Sequence, residues 1–374
     1  MVRGVSSKGY GVVAHPEGQV FFVKGVWPGD HCLFEVETFG KRYGFARQEK
    51  MLSPSPDRVL PACPFQGFIQ SKCGGCPWMQ ASYSSQLAMK ENRIRHSLKR
   101  SGLNLNAGIF SPIRPSPNVL GYRNRAQFKT DGRLIGYVSE GTNTIAPIDD
   151  CLILNPVVRK IFHDIKKQLP RSDWIPGQGF KWNFIDVDET LDPSRVILNR
   201  RRPFAQGNRE QNIFMQEWLR SSLKDMEKGR ILELFCGSGN FTGIIAQEAS
   251  EEILSIDVQG EALENLSRIN LPHVKTKARD LFAPGVWWSI ASEVGVVDTL
   301  VLDPPRDGLK NRSGFFKAMP RLQNIIYISC DVESYARDAR HFYDHGFHLT
   351  KLLPLDQFPH TPHVEILSVF KRSC

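Results

Sequence analysis

Residues 230–242 read Arg230-Ile231-Leu232-Glu233-Leu234-Phe235-Cys236-Gly237-Ser238-Gly239-Asn240-Phe241-Thr242, and this stretch decides the fold. Arg230–Phe235 is an apolar run of strand length, glycines interrupt it, and Phe241–Gln247 starts a helix. A strand that enters a glycine turn and leaves as a helix is the first βα unit of a nucleotide-type sheet. Its glycines let the backbone approach a ligand at the carboxyl edge. Here the third glycine of the dinucleotide fingerprint is missing. Strand and helix patterns then alternate as in a parallel α/β sheet. Ile253–Ile256 ends in Asp257, His273–Ala278 is followed by Asp280, and Val297–Leu302 runs into Asp303-Pro304-Pro305-Arg306.

Acids at three successive strand ends describe a nucleoside pocket without a phosphate site, a pattern that favours S-adenosylmethionine over NAD or ATP. The fifth strand, Asn324–Ser329, leads into Cys330-Asp331. Cys330 lies just past an apolar strand, at the rim where open α/β sheets hold their ligands, which sets it apart from an ordinary core thiol. His360-Thr361-Pro362-His363-Val364-Glu365 precedes the last strand, Ile366–Phe370. If that strand inserts antiparallel, Glu365 starts at the same edge.

Upstream the chain changes character. Its 374 residues suggest two or three domains. The net charge is +9, yet residues 229–374 sum to −3, and Lys90–Arg133 holds ten basic residues against two acidic ones. An excess confined to one segment is the mark of a polyanion-binding stripe, the bland alternative being a solvated surface segment. No apolar run approaches the ~18 residues of a membrane span, and Met1–Tyr10 lacks the apolar core of a secretion signal. Eight Cys without such a signal point to a reducing cytoplasm, where thiols serve metals or catalysis.

Gly9–Ala14, Val20–Val26, Cys32–Phe39 and Tyr43–Gln48 read as short strands of a small β-barrel, a fold that often binds oligonucleotides. Pro54, Pro56 and Pro61 form a stiff linker, Ser82–Arg100 is helical, and Tyr122–Phe128 with Leu134–Val138 makes a hairpin around Asp131-Gly132. Cys63, Cys73 and Cys76 are spaced C-x9-C-x2-C, and Cys151 is the nearest fourth soft ligand. Four thiolates suit tetrahedral zinc or an iron–sulfur cluster, and motif physics slightly favours zinc.

The sequence resembles the RNA uridine C5-methyltransferase family. The likeness is carried by Phe204-Ala205-Gln206-Gly207-Asn208, Glu233–Thr242, Asp303-Pro304-Pro305-Arg306, Tyr327-Ile328-Ser329-Cys330-Asp331 and His363-Val364-Glu365, in the family's order and together with the cysteines. It covers nearly the whole chain, including an N-terminal segment that looks like the TRAM domain of the 23S ribosomal-RNA branch. The resemblance implies an OB-like barrel over 1–58, a central α+β iron–sulfur domain over 59–203, and a class I (Rossmann-like) methyltransferase domain over 204–374, with a helix over 82–107 packing on the last. It replaces zinc by a 4Fe-4S cluster on Cys63, Cys73, Cys76 and Cys151. It places S-adenosylmethionine contacts at Gln206, Phe235, Asn240, Asp257, Asp280 and Asp303, the nucleophile at Cys330 and the general base at Glu365. Departures are the nine-residue gap after Cys63, Asp257 in place of the usual Glu, Gly207 in place of a larger apolar residue, and Cys374, which matches no family role.

The chemistry explains these residue types. Uracil C5 is a poor carbon nucleophile; thiolate attack by Cys330 on C6 makes it an enolate carbon, and Glu365 then removes the C5 proton. The site must favour the thiolate, and Arg306 is a candidate stabiliser of enolate or thiolate. The base must leave its stack to reach Cys330. RNA cytosine C5-methyltransferases carry a second cysteine where Arg306 stands, and adenine amino-methyltransferases carry a stacking aromatic there. A non-catalytic RNA-binding or ribosome-assembly factor has no use for the Cys330/Glu365 pair. The expected partner is RNA, ribosomal RNA favoured over the tRNA T-loop, with Arg123, Arg125 and Lys129 as contacts and Tyr122–Arg125 as the RNA-facing core. A cytoplasmic monomer without membrane attachment completes the reading; which uridine is methylated stays open.

Overall fold

The computed structural model describes residues 1–15, 17–105 and 108–373, arranged on three sheets. The N-terminal sheet comprises β1 (Gly4–Val5), β2 (Gly11–Ala14), β3 (Val20–Val23), β4 (His31–Thr38) and β5 (Tyr43–Ser53) in the order β1-β2-β3-β5-β4. All its pairings are antiparallel except β3 with β5. It folds over Val2, Phe21, Val23, Val26 and Ala46.

Helix α1 (Tyr83–Arg100) follows the proline-rich linker. Ser82 caps its start by accepting from the Ser85 amide, and Lys99 and Arg100 occupy the last turn, where cations complement the helix dipole. The helix ends at Arg100, short of the expected span to 107. Gly102, with φ of 76°, follows the Ser101 cap in a conformation that favours glycine; Asn106 and Ala107 lie outside the described residues. Ile94 and Leu98 are fully buried in the same apolar core as the large sheet, and the Ser97 hydroxyl donates to Glu333 at 3.0 Å. Burying each of the two aliphatic side chains stabilises this packing by about 1.5–3 kcal/mol.

The middle sheet comprises β6 (Arg125–Thr130), β7 (Ile135–Val138), β8 (Ile145–Pro147) and β9 (Asn183–Asp188) in the order β8-β7-β6-β9. Helix α2 (Pro156–Lys166) covers it through Val158, Ile161, Phe162 and Ile165. Its β6–β7 connection is the hairpin read at Asp131-Gly132.

From α3 (Arg209–Lys224) onward the chain alternates: β10 (Ile231–Leu234), α4 (Thr242–Glu248), β11 (Ile253–Asp257), α5 (Gly260–Ile269), β12 (Val274–Ala278), α6 (Val286–Val294), β13 (Thr299–Leu302), α7 (Phe315–Ala318), β14 (Asn324–Ser329), α8 (Val332–Tyr343), β15 (Phe347–Leu355) and β16 (Glu365–Arg372). The sheet order is β12-β11-β10-β13-β14-β16-β15. The first five strands are mutually parallel, and β16 inserts antiparallel between β14 and β15. This is the doubly wound sheet expected from residues 230–242, with its topological switch between β10 and β13. β10, β11, β13 and β14 are buried throughout, as strands covered on both faces must be. Among the described residues no helix is long and apolar enough to cross a membrane.

Candidate active site

Because parallel strands end on one edge, β10, β11 and β13 deliver the glycine turn, Asp257 and Asp303 to neighbouring positions. Phe235 leaves β10 with φ of 63°, a left-handed conformation that costs a non-glycine residue about 1–3 kcal/mol and clusters at functional sites. Gly239, with φ of 92°, leaves no room for a Cβ, which would stand 2.5 Å from Leu266 Cδ1. Asp257 accepts from the Gly237 and Gln259 amides, both at 2.9 Å, which ties the turn to the end of β11. Asp280 is exposed and accepts from the Phe282 amide at 2.9 Å; the Phe282 ring lies 6.0 Å from that of Phe235. Asn240 exchanges hydrogen bonds with Asn212 and accepts from Gln216. Gln206 accepts from Gln357 at 3.1 Å. Beside it, the glycine at 207 has a local cause: a Cβ there would meet the Phe358 ring at 3.0 Å.

Beneath this edge lies Glu233, buried on β10 and accepting from Thr242 Oγ1 at 2.7 Å and Ser255 Oγ at 2.6 Å. Burial pushes its carboxyl up to about 7. Burial, with Glu233 nearby, likewise pushes Asp303 up to about 7.

Across the switch, Cys330 follows β14 and Glu365 begins β16. The ladder's last pair is Ser329 with Ile366, so Cys330, one residue past β14, lies near Glu365, whose charge acts on its thiol. Cys330 opens into a cavity of about 550 Å³ whose lining includes Arg306, Asp331, His363, Arg93 of α1, Gly74-Gly75 of the cysteine loop, and Lys8 and Tyr10 of the N-terminal sheet. That volume suits one extruded nucleotide. Arg306 is exposed, and its guanidinium lies 3.3 Å from His363 Nε2. Burial pushes the His363 imidazole down to about 4, helped by Arg306, Lys90, Arg93 and Arg123, so the neutral ring can accept from Arg306.

The electrostatics correct one expectation. The resting site does not favour a Cys330 thiolate: burial, with Glu365 and Asp303 adding to it, pushes the thiol up to about 12 against the opposing pull of Arg306. Burial and Asp303 push Glu365 up to about 8. Glu365, Asp303 and Asp331 are three acids that disfavour further negative charge at Cys330.

The cysteines converge from two elements. Cys63, Cys76 and Cys151 pack around Met79, Tyr122 and Ile153, and Cys73 and Cys151 border the middle core. Burial is the main cause that raises the Cys76 thiol, and the charges of Cys151, Cys73 and Cys63 add to it. Yet among the described residues no group of three or more His, Cys, Asp or Glu side chains is arranged to hold a single metal ion. Cys32 is half-buried in the N-terminal sheet, and Cys374 lies outside the described residues.

The basic segment is divided: Arg95, Lys99, Arg100, Arg114 and Arg133 are exposed, Arg93, Arg123, Arg125 and Lys129 are half-buried, and Lys90 is turned inward. Lys90 is fully buried and paired with Asp356 at 2.5 Å. Tyr122, expected to face RNA, is 5% exposed and packs against the cysteines. Arg125 donates to Asp186 at 2.5 Å and to the Pro203 carbonyl. Arg123 donates to the Arg125 carbonyl, with its guanidinium 5.7 Å from the centroid of Phe358. Lys129 donates to Gln127 and lines a second cavity of about 310 Å³, which shares Gly74, Gly75 and Glu140 with the first. Sequence reasoning missed Lys8, Tyr10, Arg93 and Gln357; no local spacing marks them, because each reaches the site from a distant element.

The sequence profile of the tRNA (Uracil-5-)-methyltransferase family matches residues 185–277 and 290–373. The chain is 45% identical to an uncharacterized RNA methyltransferase from Nitrosomonas europaea, over 99% of this chain and 96% of the relative. It is 27% identical to the 23S rRNA (uracil(1939)-C(5))-methyltransferase of Alkalilimnicola ehrlichii, again over 99% and 96%. Among solved structures it resembles the Pyrococcus abyssi tRNA (uracil-54, C5)-methyltransferase in complex with S-adenosyl-L-homocysteine, with a TM-score of 0.72, 22% identity and 99% of each chain covered.

Proposed function

This chain belongs to the RNA uracil-C5-methyltransferase family, and from that membership we propose that it methylates C5 of one uridine in 23S ribosomal RNA through a covalent adduct with Cys330. The observation that supports the reading is Cys330, which lines a nucleotide-sized cavity at the carboxyl edge of the large sheet with Glu365 buried beside it at the start of β16. A non-catalytic RNA-binding factor has no use for that pair.

In this mechanism S-adenosylmethionine is the methyl-donor substrate, held by Gln206, Phe235, Asn240, Asp257, Asp280 and Asp303. Its sulfonium charge is the cation that an edge of three acids lacks, and with Arg306 it offsets the field that holds Cys330 protonated. Cys330 gives up its thiol proton to solvent, and the thiolate adds to uracil C6 as the C5=C6 electrons shift into the C5–C4–O4 enolate. C5 then takes the methyl group, breaking the sulfur–methyl bond and releasing S-adenosylhomocysteine. Glu365 as carboxylate removes the C5 proton; the electron pair reforms C5=C6 and expels the Cys330 thiolate. Arg306, oriented by the neutral His363, stabilises the enolate oxygen.

We further propose that Cys63, Cys73, Cys76 and Cys151 hold a 4Fe-4S cluster. The support is their convergence: the charges of Cys151, Cys73 and Cys63 all act on the Cys76 thiol, and four soft thiolates suit such a cluster. When bound, the cluster braces the Gly74-Gly75 loop; this chain's residues perform the chemistry. The N-terminal sheet fits the TRAM-like role of gripping RNA.

Mapping 5-methyluridine in cells with and without this gene tests the target. Loss of one 23S site supports the reading; loss of the modification at tRNA uracil-54, the position named for the Pyrococcus abyssi enzyme, transfers the proposal to tRNA.

A further inference from the structure

The outer face of the N-terminal sheet carries a continuous row of aromatic rings. Along β3, Phe21 and Val23 point into the core and Phe22 points out; along β5, Gly44 and Ala46 point in and Tyr43 and Phe45 point out. Tyr43 meets Phe22 at 5.6 Å between ring centroids, Phe22 meets Phe45 at 5.9 Å, and Phe45 meets Tyr10 at 6.4 Å. None of the four belongs to the core beneath the sheet.

The two ends of the row differ in a way that gives it a direction. Tyr43 is 54% exposed and follows the exposed basic pair Lys41-Arg42. Tyr10 lines the Cys330 cavity, and its hydroxyl donates to Glu140 at 2.5 Å, pinning that end of the row to the middle of the chain. Lys24 stands 5.7 Å from the Tyr10 centroid but is paired with Glu140 at 3.8 Å, so Lys8, which lines the same cavity, is the cation offered at this end. Aromatic rings on a sheet face with cations at both ends match single-stranded nucleic acid: bases of any identity stack on the rings and phosphates meet the lysines. Continuity with the catalytic cavity selects RNA over a protein partner.

We propose that Tyr43, Phe22, Phe45 and Tyr10 form a stacking track for the single-stranded nucleotides that flank the target uridine and lead it to Cys330. This rests on the reading of the chain as an RNA methyltransferase and adds where the substrate strand runs.

The test measures binding of in vitro transcribed 23S ribosomal RNA by Tyr43→Leu and Phe45→Leu, which keep apolar area and remove the ring face. Affinity for S-adenosylhomocysteine serves as a check on folding. Each substitution is expected to weaken the RNA Kd on the order of tenfold. In the wild type, 4-thiouridine placed beside the target uridine is expected to cross-link to the peptides carrying Tyr10, Phe22 or Tyr43. Unchanged RNA affinity in both variants, or cross-links confined to other elements, overturns the track. Loss of self-association with unchanged RNA binding overturns it in favour of a protein contact. A wild type that methylates no RNA sinks the functional reading itself, a result distinguishable from the others.

Discussion

Cys330 and Glu365 are the residues next to Ser329 and Ile366, the last pair of the β14–β16 ladder, and the Glu365 carboxyl acts on the Cys330 thiol. The antiparallel insertion of β16 produces this meeting: a parallel last strand would start at the opposite edge of the sheet. The proposed nucleophile and base are therefore neighbours although 35 positions separate them in the chain. Burial, with Glu365 and Asp303 beside it, makes Cys330 harder to ionise, and burial with Asp303 does the same to Glu365, while Arg306 opposes both.

That coupling predicts a pH signature. Burial and Asp303 push Glu365 up to about 8, against an ordinary value of ~4.3 in the unfolded chain. Between those values the folded protein keeps a proton that the unfolded chain has lost. Its stabilising contribution is complete below the unfolded value and is lost as pH rises through about 8. Asp303 acts in the same sense. Thermal melts should therefore fall from pH ~6 to pH ~9 in the wild type and fall less in Glu365→Gln. Because the base must be ionised, kcat/KM should rise over the upper part of that range. A melt that is flat with pH in the wild type counts against this assignment.

Lys90 tests the corrected view of the basic segment. Its ammonium is buried against Asp356, which also accepts from Tyr83 at 2.8 Å. Lys90→Met leaves a buried carboxylate without its cation and should cost about 3–5 kcal/mol. A second substitution, Asp356→Asn, should recover part of it. Denaturant melts measure both. If Lys90→Met has wild-type stability and lower RNA affinity, the residue faces RNA after all.

Arg125 and Lys129 should separate in their salt dependence. Arg125 is held by Asp186, so Arg125→Ala should lower stability and leave the slope of log Kd against log salt near the wild-type value. Lys129 lines the second cavity, and Lys129→Ala should reduce that slope by about 0.7, the loss of one phosphate contact on a single strand. Equal slopes for Lys129→Ala and the wild type would remove this cavity from the RNA path.

The cysteine assignment predicts about four irons per chain and a brown colour after anaerobic purification. Cys76→Ser should lose the colour and, with it, the order of Gly74-Gly75. Iron analysis and zinc analysis of the same sample decide between the two metals. A colourless protein with one zinc per chain contradicts the cluster.

Much of the large sheet was readable because its signals are local. The buried runs at β10, β13 and β14 and the residues just after them, Phe235, Asp303 and Cys330, follow from strand length and the rule that parallel strands end together. The partnerships of the basic segment were not readable. Lys90 finds Asp356 266 positions away, and Arg125 finds Asp186 from another strand, so a charge count sees two cations and no burial. The raised thiol of Cys330 escaped for a related reason: residue type indicates a nucleophile, while its ionisation depends on how many acids the fold packs beside it. Tyr10 reaches the cavity only through the placement of the N-terminal sheet, which no spacing records.

Methyl transfer through a covalent Cys330 adduct can be trapped in one measurement. Glu365→Gln, incubated with S-adenosylmethionine and in vitro transcribed 23S ribosomal RNA, should take the methyl group onto C5 and stall before the proton leaves. A denaturing gel should then show a methylated RNA–protein adduct, and peptide mass spectrometry should place the link on Cys330. The adduct should be absent from Cys330→Ala. Methyl transfer to RNA by Cys330→Ala, or an adduct on any other residue, would contradict the mechanism.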